Sequence, residues 1–178
     1  DWYPKPCEKP HSFETEQRFV TAEGAPQDSD VWRIAIFMSP LDVHVNRAPR
    51  AAEIVAMEHR TGKGKRRGPF APAYRKESEF NERVRTVFEA EDGERIEVMQ
   101  ISGALARTIV PWKGIGDTLR RGERYGMIRL GSRVDVRVPA NLYQSLVVSA
   151  EDQDPNHPKG QFIKAGSDII FKRILEEE

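Results

Sequence analysis

Apolar residues along this chain fall into short runs divided by turn-forming residues, the pattern of a β-rich domain. Val31-Trp32-Arg33-Ile34-Ala35-Ile36-Phe37-Met38 is nearly continuous and rich in β-branched residues, which predicts a buried strand ended by Ser39-Pro40. Ala51 to His59, with Ile54, Val55 and Met57, reads as a further strand, although its Ala-Ala-Glu start also allows a short helix. Asp92-Gly93 between Val84–Glu91 and Arg95–Ile101 predicts a hairpin closed by a type I′ turn, whose twist suits the flanking strands. In Arg133-Val134-Asp135-Val136-Arg137-Val138 one face is all valine and the other all charge, the alternation of a half-buried strand. Pro139 stops it.

Gly160 to Gly166 followed by Asp168-Ile169-Ile170-Phe171 reads as strand, turn, strand. A similar phrase, Gly116 to Glu123, precedes the apolar Tyr125-Gly126-Met127-Ile128. Two such turns are compatible with a duplicated hairpin of the lipoyl-like or barrel-sandwich-like kind, and equally with chance likeness between two β-turns. The one stretch with helical character is Tyr74 to Arg83, and Gly62 to Pro69 reads as a basic loop. The expected fold is therefore mainly β, a β-rich α+β arrangement of antiparallel hairpins with few short helices. Residues 1–30 form an extended entry segment, and 31–178 a single domain. The chain opens on Asp1 rather than Met, from which a further segment upstream is expected.

Charge and composition narrow the chemistry. Lys and Arg total 28 and Asp and Glu total 28, so there is no net field to draw in nucleic acid, although local clusters can still act. The lone Cys7 excludes an internal disulfide framework. His11, His44, His59 and His157 show no metal-ligand spacing, so no metal is expected. No run of about 20 apolar residues is present to span a bilayer as a helix. Phosphate-loop and GxSxG patterns are absent as well.

Three features remain as candidates. Lys63, Lys65, Arg66 and Arg67 make a basic cluster that is either a solvated turn or a contact for anionic head groups. His44 follows a predicted strand, the kind of loop on which a rigid sheet holds catalytic groups, and imidazole exchanges protons near neutrality. Gly131-Ser132 and Gly166-Ser167 are two Gly-Ser pairs that, by themselves, read as turns.

Two longer strings carry more. Ile36-Phe37-Met38-Ser39-Pro40-Leu41-Asp42-Val43-His44-Val45-Asn46-Arg47-Ala48-Pro49 and Tyr125-Gly126-Met127-Ile128-Arg129-Leu130-Gly131-Ser132-Arg133-Val134-Asp135 resemble, in the same order, the signatures of the short microbial phosphatidylserine decarboxylase proenzymes. The archaetidylserine decarboxylase-like members belong to the same type. Weaker matches lie at Phe70–Arg83, Gln100–Val110 and Gly160–Gly166.

The resemblance implies self-cleavage at Gly131-Ser132, giving fragments 1–131 and 132–178, with Ser132 converted to a pyruvoyl group that forms a Schiff base with the substrate amine. It implies His44 as the acid and base of the site. The second histidine of larger members, three positions after the first, is Arg47 here, and their Pro-Ala-Asp-Gly phrase does not occur. The implied partners are a serine-headed phospholipid, a membrane surface on the cytoplasmic side and a second copy of the chain, with no nucleic acid. A non-catalytic β-domain that binds anionic lipid, and a pyruvoyl decarboxylase of a soluble amino acid, are the competing expectations.

Overall fold

The computed structural model describes residues 2–4 (main chain only), 31–38, 41–60, 81–103, 108–129, 132–146 and 163–174. They form twelve strands: β1 (Trp2–Pro4), β2 (Val31–Met38), β3 (Val45–Arg47), β4 (Ala52–Arg60), β5 (Arg83–Glu89), β6 (Arg95–Ser102), β7 (Ile109–Pro111), β8 (Thr118–Leu119), β9 (Arg124–Ile128), β10 (Ser132–Pro139), β11 (Tyr143–Ser145) and β12 (Phe171–Arg173). The expected β-rich fold is thus present, and among the described residues there is no helix. The Ala52–Arg60 stretch is a strand, which settles its two readings. The helix expected over Tyr74 to Arg83 is overturned at its end, where Arg83 opens β5; residues 74–80 lie outside the described residues.

The main sheet has seven strands in the order β1-β2-β10-β6-β5-β4-β8, and every pairing in it is antiparallel. A second sheet runs β3-β9-β7, and β11 pairs with β12 alone. Directly opposed residues share a face. Ile34, Ile36 and Met38 of β2 therefore line up with Val136, Val134 and Ser132 of β10, and these with Val98, Gln100 and Ser102 of β6. That face makes one apolar core with Ile109, Tyr125 and Ile128 of the three-stranded sheet and with Tyr143 and Ile163 from the C-terminal segment. Phe88 and Tyr125 meet edge to face across it, ring centroids 5.1 Å apart.

The β5–β6 hairpin forms with the expected flanks but a different turn. Gly93 N–H donates to the Ala90 carbonyl and Ala90 N–H to the Glu94 carbonyl, so the loop holds three residues, Glu91-Asp92-Gly93, instead of two. Only a residue tolerant of φ near 78° closes such a loop, and Gly93 takes that position as the bulge residue after the turn. The two likened phrases share a construction. Glu123 N–H donates to Arg120 C=O and Ser167 N–H to Lys164 C=O, with Gly122 and Gly166 third in each turn at φ 78° and 80°. In each, a following carboxylate (Glu123, Asp168) accepts the first residue's N–H. Their surroundings differ: the first leads into β9 in the three-stranded sheet, while the second precedes β12, which begins only at Phe171.

The charged face of β10 corrects the half-buried reading, since all eight residues of the strand are buried. With β2 on one edge and β6 on the other, and both faces covered, the charges must find partners inside the protein. Arg133 reaches both Asp135 oxygens, at 2.5 and 2.6 Å, and sits over the Phe37 ring. Glu97 of β6, wholly buried, is shared by Arg137 and by Arg85 of β5. A second cluster ties the hairpin loop to the C-terminal segment: Arg50 pairs with Asp92 and Glu94, each at 2.7 Å, and Arg173 approaches the same two carboxylates. Burial, with the Glu94 carboxylate close by, pushes the Tyr143 phenol up to about 12.

Burial acts to raise the Asp135 carboxyl, but Arg133, with Arg33 and Arg137 behind it, outweighs burial and holds it below the ordinary carboxylate value. Asp135→Leu leaves these arginines short of their counter-charge and is expected to cost about 3–5 kcal/mol in urea unfolding. A depressed folded-state value means that the stabilisation is present above the unfolded value of about 3.9 and is lost as pH falls through the folded one. Acid unfolding of the unaltered protein, followed by circular dichroism, should accordingly show a transition below about pH 4 that Asp135→Leu weakens.

Candidate active site

Ser132 is the first residue of β10 and has zero solvent exposure. Its neighbours across the sheet are Met38 on β2 and Ser102 on β6. The hydroxyl donates to the Met38 thioether at 3.7 Å, a weak acceptor. Ser102 sends its own N–H away from β10, to the Glu82 carbonyl at 2.9 Å. In an antiparallel ladder this makes the Ser132/Ser102 pair the non-bonded type, in which facing side chains come closest. The Ser102 hydroxyl is buried and meets no partner among the described residues. Its carbonyl is held by the buried Asn81 amide at 2.8 Å.

His44 precedes β3 and is half-buried. Its Nδ1 lies 2.7 Å from the Asp42 main-chain oxygen. A carbonyl only accepts, so Nδ1 carries the hydrogen and, in the neutral ring, Nε2 carries the lone pair. The His44 carbonyl in turn accepts from Ile128 N–H at 3.1 Å, at the end of β9. Ile128 stands four residues before Ser132, at most about 14 Å of extended chain. Met38, the cross-strand partner of Ser132, stands six residues before His44. His44 is thus tied, through Ile128, to a point four residues before Ser132 in the chain.

The two sheets are also joined inside. Gln100 Nε2 donates to Asn46 Oδ1 at 2.6 Å, both residues being buried. Gln100 lies two positions before Ser102, and Asn46 two positions after His44. The β9 main chain packs directly on this amide: a Cβ on Gly126 would stand 3.0 Å from the Val110 carbonyl oxygen and 3.4 Å from Gln100 Nε2. Arg47 donates to the Gly122 carbonyl at 2.7 Å and pins that turn.

Gly131 lies outside the described residues, as do Lys63, Lys65, Arg66 and Arg67. Gly166-Ser167 is an exposed turn, as expected of such a pair. His59 pairs with Glu82 at 2.9 Å on the surface.

With this geometry in view, likeness to known proteins decides the family. The family model described as phosphatidylserine decarboxylase matches residues 7–171. The chain belongs to that family. It is 46% identical over 155 residues to the phosphatidylserine decarboxylase proenzyme of Thermobifida fusca, a match covering 84% of this chain and 63% of that protein. The proenzyme of the same name from Streptomyces coelicolor is 49% identical over 134 residues, 72% of this chain and 58% of that one. A relative from Methanococcoides burtonii, named for archaetidylserine, is 37% identical over 155 residues, 87% of this chain and 66% of that protein. The chain thus spans about three fifths of the length of the first two. No solved structure matches it.

For this phosphatidylserine decarboxylase family member, the quoted signatures cover His44, Asn46, Ser132 and Gly126 but gave no reason to single out Asn46, Asn81 or Ser102. The available signal was weak: polar residues at inward-facing positions of otherwise apolar strands, as with Gln100 between Met99 and Ile101. Gly126→Ala puts a methyl group against a carbonyl and the Gln100 amide. An overpacking cost of about 1–3 kcal/mol is expected, read as a lowered thermal midpoint.

Proposed function

We propose that this chain is the catalytic portion of a pyruvoyl-dependent decarboxylase of a serine-headed phospholipid, matured by self-cleavage between Gly131 and Ser132. The observation that carries the proposal is Ser132 itself: a fully buried serine at the first position of a doubly paired strand, four residues after Ile128, whose N–H bonds the His44 carbonyl. The relatives' names supply the lipid class, phosphatidylserine in one group and archaetidylserine in the other.

A pyruvoyl group would keep the carbon skeleton that Ser132 already places and take its ketone oxygen from water. The Met38 thioether and the Ser102 hydroxyl flank it on the two neighbouring strands. Such a group supplies an electron-accepting carbonyl for loss of carbon dioxide. The chain's own contribution begins earlier. The Ser132 hydroxyl attacks the Gly131 carbonyl carbon, its proton passing to the Ser132 nitrogen as the C–N bond breaks and an ester forms. Loss of the Ser132 α-hydrogen to a base then expels Gly131 as a carboxylate and parts the chain. The dehydroalanine left at position 132 tautomerises to an imine that water hydrolyses, releasing ammonia and leaving the pyruvoyl carbonyl. A serine hydroxyl is a weak nucleophile unaided, and the Nε2 lone pair of His44 is the base assigned to it. Protonated, the same imidazole is the acid that returns a proton to the product carbon.

Burial excludes water from Ser132 until the chain parts, which favours attack within the residue over hydrolysis of the ester. A membrane surface on the cytoplasmic side and a second copy of this chain are the partners proposed with this activity. Sedimentation with serine-lipid vesicles and a solution mass measurement test them.

Intact-mass analysis of the full-length protein should show fragments ending at Gly131 and beginning at position 132, and Ser132→Ala should remain one chain and release no carbon dioxide from serine-lipid vesicles. His44→Asn should slow turnover by about 10²–10⁴-fold. Carbon dioxide release from an uncleaved protein, or from Ser132→Ala at the unaltered rate, would overturn the proposal. Release from free serine in preference to the lipid would overturn its substrate class.

A further inference from the structure

We infer that Gln100 is a positioning residue whose buried amide, bonded to Asn46, fixes the three-stranded sheet carrying His44 against the strand carrying Ser132. The inference rests on the proposed self-cleavage and concerns how its two residues are kept in register. Gln100 belongs to β6 and to the main sheet, directly opposite Val134 of β10 and Val84 of β5. Its side chain leaves that sheet to donate to Asn46 on β3, a residue 54 positions away in sequence. Gly126 lies opposite Asn46 on β9, and the absence of a side chain there lets the β9 backbone close over the Gln100 amide. One polar group on β6, the neighbour of the strand that carries Ser132, thus bonds β3 and lies beneath β9.

Packing alone does not explain a glutamine here. Its neighbours across the sheet are valines, and Met or Leu would fill the same volume without burying an amide. The amide also carries a penalty, because Gln100 Oε1 is buried and meets no donor among the described residues. What an amide adds is direction. Apolar contacts between sheets tolerate sliding, whereas a hydrogen bond of 2.6 Å between two buried side chains fixes one relative position. The His44 ring is itself oriented by the carbonyl two residues before it, and its main chain by Ile128, so displacement of β3 or β9 moves the imidazole as a body. Shifts of about 1 Å in reacting groups change rates by up to about 100-fold.

The test uses Gln100→Met, which keeps the volume and loses the bond, and Gln100→Glu. A protonated glutamic acid can donate to Asn46 Oδ1, while its carboxylate cannot and repels that oxygen. Conversion of the full-length chain into its fragments is followed by intact mass, with the rate expressed relative to unaltered protein at the same pH and with thermal midpoints measured in parallel. Gln100→Met, while still folded, should cleave at least about tenfold more slowly. Gln100→Glu should be comparably slow near pH 8 and recover severalfold towards about pH 6, as its carboxyl takes up a proton. A folded Gln100→Met that cleaves at the unaltered rate, or a Gln100→Glu whose relative rate is flat with pH, would overturn the inference.

Nuclear magnetic resonance of the His44 ring in a Ser132→Ala background, where cleavage cannot occur, separates this inference from the proposed function. Gln100→Met should shift the His44 ring signals there; unmoved signals would count against the positioning role even if the unaltered protein never cleaves.

Discussion

A strand paired along both edges and covered on both faces has no water to receive its charges, and β10 is such a strand. Arg133, Asp135 and Arg137 are consequently committed to partners within the protein: Asp135 for the first, Glu97 for the last. Burying an ion pair seldom stabilises more than a well-packed apolar pair would, but removing one member is costly. The charges therefore act less as a source of stability than as a condition on alignment. Glu97 meets Arg137 and Arg85 only when β10, β6 and β5 stand in their observed register, and a slip by one residue would place these charges in the valine core. That register also sets Ser132 between Met38 and Ser102.

Much of the fold was legible because sheets write a period-two signal into sequence. The Val31–Met38 run, the flanks of the Asp92-Gly93 loop and the alternation after Ser132 each became strands close to their expected limits. The misreadings have a common origin, since periodicity reports which residues alternate and not what lies over each face. Arginine and aspartate on one side of β10 suggested solvent, yet ion pairing inside the sheet gives the same pattern. Turn type was likewise beyond local reading: Asp-Gly suits a two-residue loop, but Ala90 and Glu94 pair one step earlier and leave three residues to turn.

The candidate site was legible only in part, and by a different route. Nothing in spacing or composition separates Gly131-Ser132 from Gly166-Ser167. The surrounding signature does, and in the fold Ser132 is buried in a strand while Gly166-Ser167 is an exposed turn. Gln100 and Asn46 were hidden because their bond joins residues 54 apart, on separate sheets, and no local pattern announces such a partnership. The contact of His44 Nδ1 with a main-chain carbonyl has no sequence signature at all.

The place of β10 in the middle of the sheet has a consequence for the life of the protein after it is made. Under the proposed cleavage, the strand that begins at Ser132 starts as a tethered neighbour of β9 and ends as the first segment of a separate chain. In the folded state little changes, because β2 and β6 grip it from both sides and Arg173 holds the far end of the same fragment to Asp92. Once unfolded, however, the two pieces lose the high effective concentration that a tether provides and must find each other by diffusion. Assembly that was intramolecular in the precursor becomes dependent on protein concentration. Maturation would thus make folding a one-time event, with the native state kept thereafter by the slowness of its unfolding.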